Sequence, residues 1–160
     1  MRVMKKPNLY VWCNWKQARQ YLDYFEGEHK LNTNLLCWHK SNPVPLCSNK
    51  FLNDTEYIIY ARGKGVKLSG GYAEAKTYWT TKLNTEDKKK YDHPTIKPLD
   101  ITKTLIGRST VEGDTVLDPF MGSGTTGVAC KLLNREFIGF ELNEKYFTTA
   151  KNRINEERLI

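Results

Sequence analysis

The sequence predicts an α/β fold in which strands run into helices through tight turns, and two observations carry that expectation. The first is the stretch around residue 120. Thr115-Val116-Leu117 is a short apolar run behind the turn signal Glu112-Gly113-Asp114. It leads into Asp118-Pro119-Phe120-Met121-Gly122-Ser123-Gly124-Thr125-Thr126-Gly127, after which Val128, Ala129, Leu132 and Leu133 recur at helical spacing. The second is the same strand-then-helix alternation on either side: Asn8–Cys13 before a helical stripe, and Phe137–Glu141 before another.

Taken in order, residues 1–6 form a basic lead and Pro7 precedes the strand Asn8-Leu9-Tyr10-Val11-Trp12-Cys13. Asn14 suits the N-cap of a helix whose apolar stripe is Trp15, Ala18, Leu22 and Phe25, with Gly27 as its stop. Thr33–Trp38 reads as the next strand, Ser41–Pro45 as a loop, and Thr55–Tyr60 as a third strand rich in β-branched and aromatic residues. From Arg62 to Tyr91 the character changes, because Gly63, Gly65, Gly70 and Gly71 break regular structure. Pro98 suits the first turn of a helix whose buried side is Leu99, Thr102, Leu105 and Ile106 and whose end Gly107 weakens. Asn143 suits the cap of a last helix with Tyr146, Phe147, Ala150 and Ile154 on its apolar face, and the charged tail Asn152–Arg158 is expected to fray.

The chain has 160 residues, the length of one ordinary domain, and is short for an enzyme that must hold both a cofactor and a nucleic-acid duplex. Its formal charge is +7 and its isoelectric point about 9.2, a balance that favours a polyanionic partner. Positive charge concentrates at Lys64, Lys67, Lys76, Lys82, Lys88, Lys89 and Lys90, with Tyr72, Tyr78, Trp79 and Tyr91 interleaved. That mixture suits phosphate contacts together with stacking at a base step. The alternative for the same stretch is a solvated insertion, and Lys88-Lys89-Lys90 alone reads as a solvated face. Cys13, Cys37, Cys47 and Cys130 show no Cys-x-x-Cys spacing and are not paired with the three histidines at ligand spacing, so they read as reduced thiols and no metal site is expected. No apolar run approaches the ~20 residues that span a bilayer, and no signal peptide is visible, which predicts a cytoplasmic protein without a membrane partner.

The glycine-rich turn lies where ligands bind in α/β sheets, beyond the carboxyl end of a strand. Gly122 and Gly124 are expected to take positive φ and to let the backbone approach a bound molecule. The helix start offers unpaired N–H groups. Gly122-x-Gly124-x-x-Gly127 fits the dinucleotide fingerprint, which leaves a nicotinamide-type oxidoreductase open. Asp118 points elsewhere, since a carboxylate at that point repels a pyrophosphate and suits an ammonium-bearing ligand such as S-adenosylmethionine (SAM). Glu141, which ends the next predicted strand, suits the two hydroxyls of a ribose.

Three motifs in order carry a specific resemblance: His93-Pro94-Thr95-Ile96-Lys97-Pro98-Leu99, then Val116 to Thr126, then Arg135 to Glu141 with Tyr146 and Arg153. Together they resemble the C-terminal half of the permuted β-type DNA amino-methyltransferases, closely from about Asp92 to Arg153 and more loosely over the first sixty residues. Trp38-His39-Lys40, the proline loop and the Glu56 strand are similar to later catalytic-half motifs of that family. The resemblance implies a Rossmann-like class I SAM-dependent methyltransferase fold in permuted order, incomplete on its N-terminal side. The expected parts are 1–61 as the remainder of the catalytic half, 62–91 as target-recognition region and 92–160 as the SAM-binding half, all in one structural domain. It implies SAM as cofactor and double-stranded DNA as partner, with adenine N6 favoured over cytosine N4 as acceptor and a role in restriction–modification.

By the same resemblance, Asp118 would hold the methionine ammonium, Phe120 would pack on the cofactor, and Gly122, Ser123 and Gly124 would present backbone to it. Glu141 would bind the ribose hydroxyls, and Thr95 and Lys97 the carboxylate end. Pro98 and Asn143 complete the expected cofactor set. His93 would polarise or position its loop, or serve a structural role. The DNA-binding set would be Lys64, Lys67, Lys76, Trp79, Lys82, Lys88, Lys89 and Lys90. The sequence departs from the family at the catalytic tetrad, an acidic, polar or amide residue followed by Pro-Pro and an aromatic. Pro7, Pro43, Pro45, Pro94, Pro98 and Pro119 are all separated, and Asn42-Pro43-Val44-Pro45 is only a distant imitation. No catalytic residue is therefore expected in this chain. The strand that would carry the tetrad is expected from a complementary N-terminal segment or subunit, with a homodimer as another way to cover the exposed edges. A non-enzymatic remnant or subunit that binds cofactor or DNA is the remaining alternative.

Overall fold

A computed structural model describes residues 4, 6–45, 48, 50–83 and 85–156. Cys47, most of the basic lead and the end of the charged tail lie outside the described residues. The chain divides into two compact units, Met1–Leu83 and Asn84–Ile160, each with its own sheet.

In the first unit β1 (Asn8–Cys13), β2 (Asn32–Lys40), β3 (Thr55–Arg62) and β4 (Tyr78–Thr81) form a sheet in the order β1-β3-β2-β4. β3 is antiparallel to both neighbours, with Trp12 and Leu36 opposite Ile58, whereas β4 runs parallel to β2. α1 (Trp15–Leu22) starts at an Asn14 capping box: Asn14 Oδ1 accepts from the Lys16 and Gln17 N–H groups, and Gln17 Oε1 accepts from Asn14 N–H. Ala18 and Phe25 from its stripe pack with Cys13, Ile59 and Ala61. Trp15, expected on that stripe, is exposed: as the first helical residue its side chain leans toward the helix N-terminus and stays outside the cluster. Gly27 does not stop the helix, which continues as a wider π-turn over Asp23–Glu28. The reversal comes at Lys30, whose φ of 53° is left-handed.

The segment Arg62–Tyr91, expected to be irregular, contains a 3-10 turn at Tyr72–Glu74, a strand and a helix among its described residues. The glycines are spent by Gly71, and Tyr78-Trp79-Thr80-Thr81 is an aromatic, β-branched run that adds to β2 as β4. The Trp38 indole N–H donates to Thr81 Oγ1 at 2.8 Å across that pairing. Asn84 is outside the described residues, and α2 (Thr85–Lys90) follows it. Glu86 and Asp87 lie in its first turn and Lys88, Lys89 and Lys90 in its last, the order that suits the helix dipole.

The second unit continues with α3 (Leu99–Ser109), β5 (Thr115–Asp118), α4 (Thr125–Leu132), β6 (Glu136–Gly139) and α5 (Glu144–Glu156). Pro98 caps α3 rather than starting it, and the helix runs past Gly107 because the Ser109 and Thr110 hydroxyls donate back to the Leu105 and Ile106 carbonyls. β5 and β6 are parallel, with Asp118 opposite Gly139, so β6 ends two residues before Glu141. Ile106, Ala129 and Cys130 form the core here, with Leu99, Val116, Leu133 and Phe137 against them. The opposite face of this two-stranded sheet leaves Leu117, Ile138 and Phe140 exposed. In α5 Phe147 is exposed and Arg153 is buried, so the inward side is rotated from the expected one. The described part of the tail stays helical to Glu156, held by Lys131 Nζ donating to the Ile154 and Asn155 carbonyls. No helix among the described residues is long and apolar enough to cross a membrane.

Candidate cofactor site

Parallel pairing of β5 and β6 brings the two acids to the same end of the sheet. The ladder continues just beyond the strands, with Phe140 N–H donating to the Asp118 carbonyl at 2.9 Å and Met121 N–H to the Phe140 carbonyl at 3.0 Å. Asp118 Oδ1 accepts from Phe120 N–H at 3.0 Å, and Oδ2 from the Thr126 hydroxyl at 2.6 Å. Glu141 Oε2 accepts from Gly122 N–H at 3.1 Å, and Oε1 from Asn143 N–H at 2.9 Å. A carboxylate has about four lone-pair sites. Each acid is therefore fixed by the backbone or a hydroxyl and retains acceptor capacity on a half-buried group.

The glycines have reasons of their own. Gly122 and Gly124 take φ of 52° and 79°. A side-chain carbon on Gly122 would come within 3.1 Å of His93 Nε2, and one on Gly124 within 3.0 Å of Ala150 Cβ. The close approach at both is thus to the protein's own His93 loop and α5. Gly127 is still tighter, since a Cβ there would lie 2.3 Å from Ile154 Cδ1 and 2.8 Å from Phe137 Cε1.

The His93–Pro98 segment joins the turn at two points. His93 Nδ1 accepts from Thr95 N–H at 3.2 Å while the ring packs edge-on against Tyr146 at 4.5 Å. Thr125 Oγ1 donates to the Lys97 carbonyl at 3.5 Å. Partial burial pushes the His93 imidazole below its ordinary value; Lys97 and Arg153 act in the same direction, against the opposing pull of Glu141. Ile96 and Pro98 are buried and anchor the segment, while the Thr95 side chain is exposed and Lys97 half-buried.

The expected cofactor residues therefore divide. Asp118, Glu141, Gly122, Gly124, His93 and Lys97 come together around the turn. Phe120 stands 84% exposed beside it, an apolar ring free to cover a ligand. Ser123 turns inward and is buried, its Oγ accepting from Arg153. Asn143 caps α5, its Oδ1 accepting from Tyr146 N–H at 3.2 Å. Thr126 and Arg153 stand in the motifs that carry the resemblance, but sequence reasoning gave neither a role. A hydroxyl eight residues after Asp118 at a helix start was a readable partner for that acid, and Arg153 sits three residues after buried Ala150 on the same helical face. Among the described residues no three His, Cys, Asp or Glu side chains are grouped as a metal site would need.

The expected DNA-binding residues lie in both units. Lys64, Lys67, Lys76 and Lys82 are exposed in the first, and Lys88 is half-buried and Lys89 and Lys90 exposed in the second. Trp79 is a half-buried strand residue opposite Trp38, whereas Tyr72 and Tyr78 are exposed.

Residues 1–152 match the family model described as DNA methylase (N6_N4_Mtase). The chain belongs to this DNA methylase family. Among its relatives, the Type II methyltransferase M2.LlaDCHI of Lactococcus lactis subsp. cremoris is 36% identical over 170 residues, covering 97% of this chain and 63% of that protein. M2.DpnII of Streptococcus pneumoniae is 36% identical over 167 residues, covering 95% and 62%. The methylase chain thus spans less than two thirds of the length of these curated relatives. Among solved structures, the M1.HpyAVI–SAM complex superposes with a TM-score of 0.77 at 34% identity, over 91% of this chain and 74% of that one. The PvuII cytosine-N4-specific DNA methyltransferase, 17% identical, shares the fold with a TM-score of 0.71. The fold of this family member is accordingly that of the class I SAM-dependent DNA methyltransferases, as the three motifs implied.

Proposed function

We propose that this chain is the SAM-binding part of a site-specific DNA amino-methyltransferase, with an exocyclic amino group, adenine N6 by preference, as acceptor. The observation that carries the reading is the pair of acids at one sheet end, Asp118 and Glu141, each fixed from the protein side and each with lone pairs to spare. This acceptor pair fits a ligand that presents an ammonium and vicinal hydroxyls, and it opposes a pyrophosphate. Asp118 would take the ammonium, Glu141 the ribose hydroxyls and the Phe120 ring the apolar body, while Lys97 would supply positive charge at the carboxylate end. SAM supplies an electrophilic methyl group.

Double-stranded DNA is the proposed substrate, held by the lysines of both units with Tyr72 and Tyr78 as the exposed stacking surfaces. The acceptor nitrogen is a poor nucleophile because its lone pair is delocalised, so the base must leave the stack and its amino hydrogens must be accepted by fixed groups. The family's Pro-Pro-aromatic tetrad does that, and no Pro-Pro pair occurs in these 160 residues. A complementary segment or subunit carrying it is part of this proposal, as is a cytoplasmic setting.

Titration calorimetry with S-adenosylhomocysteine and with NAD tests the cofactor reading. The chain is expected to bind the former and not the latter, and Glu141→Ala to lose roughly 1–3 kcal/mol, the cost of leaving buried hydroxyls without an acceptor. Equal affinity for parent and Glu141→Ala would remove Glu141 from the site. Preference for NAD would replace the whole reading with a dinucleotide enzyme.

A further inference from the structure

Arg153 is a charged side chain only 5% exposed, twelve residues beyond Glu141 on α5. A guanidinium does not lose its proton in a protein, so its burial is costly unless it is paired and hydrogen-bonded. Here both conditions are met by two different elements. Nη1 donates to the Ser123 carbonyl at 3.2 Å, to Ser123 Oγ at 3.3 Å and to Thr125 Oγ1 at 3.0 Å. These are the residues on either side of left-handed Gly124. Nη2 lies 3.8 Å from Asp87 Oδ2, and the guanidinium carbon lies 4.7 Å from the centre of the Tyr91 ring. Asp87 is in α2 and Tyr91 follows it directly.

The chain of contacts runs on from there. Thr125 Oγ1, which accepts from Arg153, itself donates to the Lys97 carbonyl. One planar fork thus fixes the glycine turn from behind and, through Thr125, the segment that carries Lys97. One nitrogen of the fork serves the turn, the other faces Asp87, and the guanidinium lies over the Tyr91 ring, a combination that suits a planar arginine side chain.

We infer that Arg153 is a positioning residue for the cofactor turn, and that α2 sets cofactor affinity through Asp87 and Tyr91 without itself forming the turn. The inference rests on the cofactor reading above. It separates the roles of α2: Lys89 and Lys90 of its last turn are exposed, while Asp87 and the adjoining Tyr91 hold the arginine that holds the turn.

The test uses the whole chain, calorimetry with S-adenosylhomocysteine, thermal melting, and amide hydrogen exchange at Ser123–Val128. Asp87→Asn and Tyr91→Leu are expected to keep the fold yet bind roughly three- to tenfold more weakly, within the range measured for coupled neighbours. Asp87→Glu should restore affinity. The double variant Asp87→Asn/Arg153→Lys should bind no more weakly than Arg153→Lys alone, since both act through one arm. Amides of Gly124–Val128 should exchange faster in each weakened variant. Folded Asp87→Asn and Tyr91→Leu with parental affinity and parental exchange would overturn the inference. If the parent binds no S-adenosylhomocysteine, the cofactor reading falls by itself, and the exchange rates then decide the positioning role: unchanged rates in the variants reject it.

Discussion

At the scale of single residues, His93 is a group beside the glycine turn whose titration the fold alters. Its ring sits between Tyr146 and the glycine turn and accepts a hydrogen bond from Thr95 N–H, an arrangement that suits the neutral imidazole. Burial lowers its pKa from the ordinary 6.5, with Lys97 and Arg153 adding to the effect and Glu141 opposing it. The unfolded chain therefore binds the proton more readily than the folded one. Stability tied to His93 is complete above the unfolded value and falls as pH drops below it, levelling off once the folded group is also protonated. Urea midpoints measured from pH 8 down through the histidine range should fall more steeply for the parent than for His93→Gln. Parallel curves would show that the His93 loop is indifferent to this charge.

At the scale of elements, the strand–turn–helix unit was legible because its residues are constrained twice. Asp118, Gly122 and Gly124 are needed by the local backbone, and the Val128-Ala129 pair by the core. β4 was hidden because four glycines and a run of lysines surround a four-residue strand whose stability comes from its pairing with β2, with Cys37 opposite Tyr78 far along the chain. Arg153 was named in a motif, but its burial was hidden because a basic residue in a charged tail reads as solvated, and only packing of α5 on the glycine turn buries it. That packing also explains Gly127. Gly127→Ala would place a methyl against Ile154 and Phe137, and should cost roughly 1–3 kcal/mol as overpacking does. Denaturant unfolding checks it, and an unchanged midpoint would mean that α5 shifts freely on α4. The basic stretch makes a separate prediction. Replacing Lys88, Lys89 and Lys90 together should flatten the dependence of log DNA affinity on log salt, since each phosphate contact contributes a slope of about −0.9. Tyr72→Ala should weaken binding with the slope unchanged, as stacking requires. A triple variant with the full slope would return these lysines to a solvated run alone.

At the scale of the whole molecule, the second unit leaves something uncovered. Parallel sheets are ordinarily buried on both faces, and the apolar alternation of β5 and β6 fits that rule. One face meets Ile106, Ala129 and Cys130, and the other exposes Leu117, Ile138 and Phe140, with β6 the only ladder partner of β5 among the described residues. Open edges and an apolar face favour association with another strand. The chemistry asks for the same thing: a bound cofactor presents its methyl group, but does nothing for the lone pair of the acceptor nitrogen, which needs fixed acceptors and an aromatic to hold the flipped base. The 160-residue chain is therefore expected to bind S-adenosylhomocysteine and to transfer no methyl group to DNA. A segment bearing an Asp/Asn/Ser-Pro-Pro-aromatic turn on its own strand should restore transfer, fused before Met1 or added in trans. The fusion should do better, because a short covalent link raises effective concentration to roughly the millimolar range. It should also protect the Leu117, Ile138 and Phe140 face, read as slower amide exchange in β5 and β6 and less aggregation. A tritiated-methyl assay on unmethylated DNA compares the chain, the fusion, and a fusion with the first tetrad residue changed to alanine. Robust transfer by the chain alone would place the acceptor site among residues assigned here to structure. A fusion that transfers while the β5–β6 face still exchanges freely would mean that the added strand docks elsewhere.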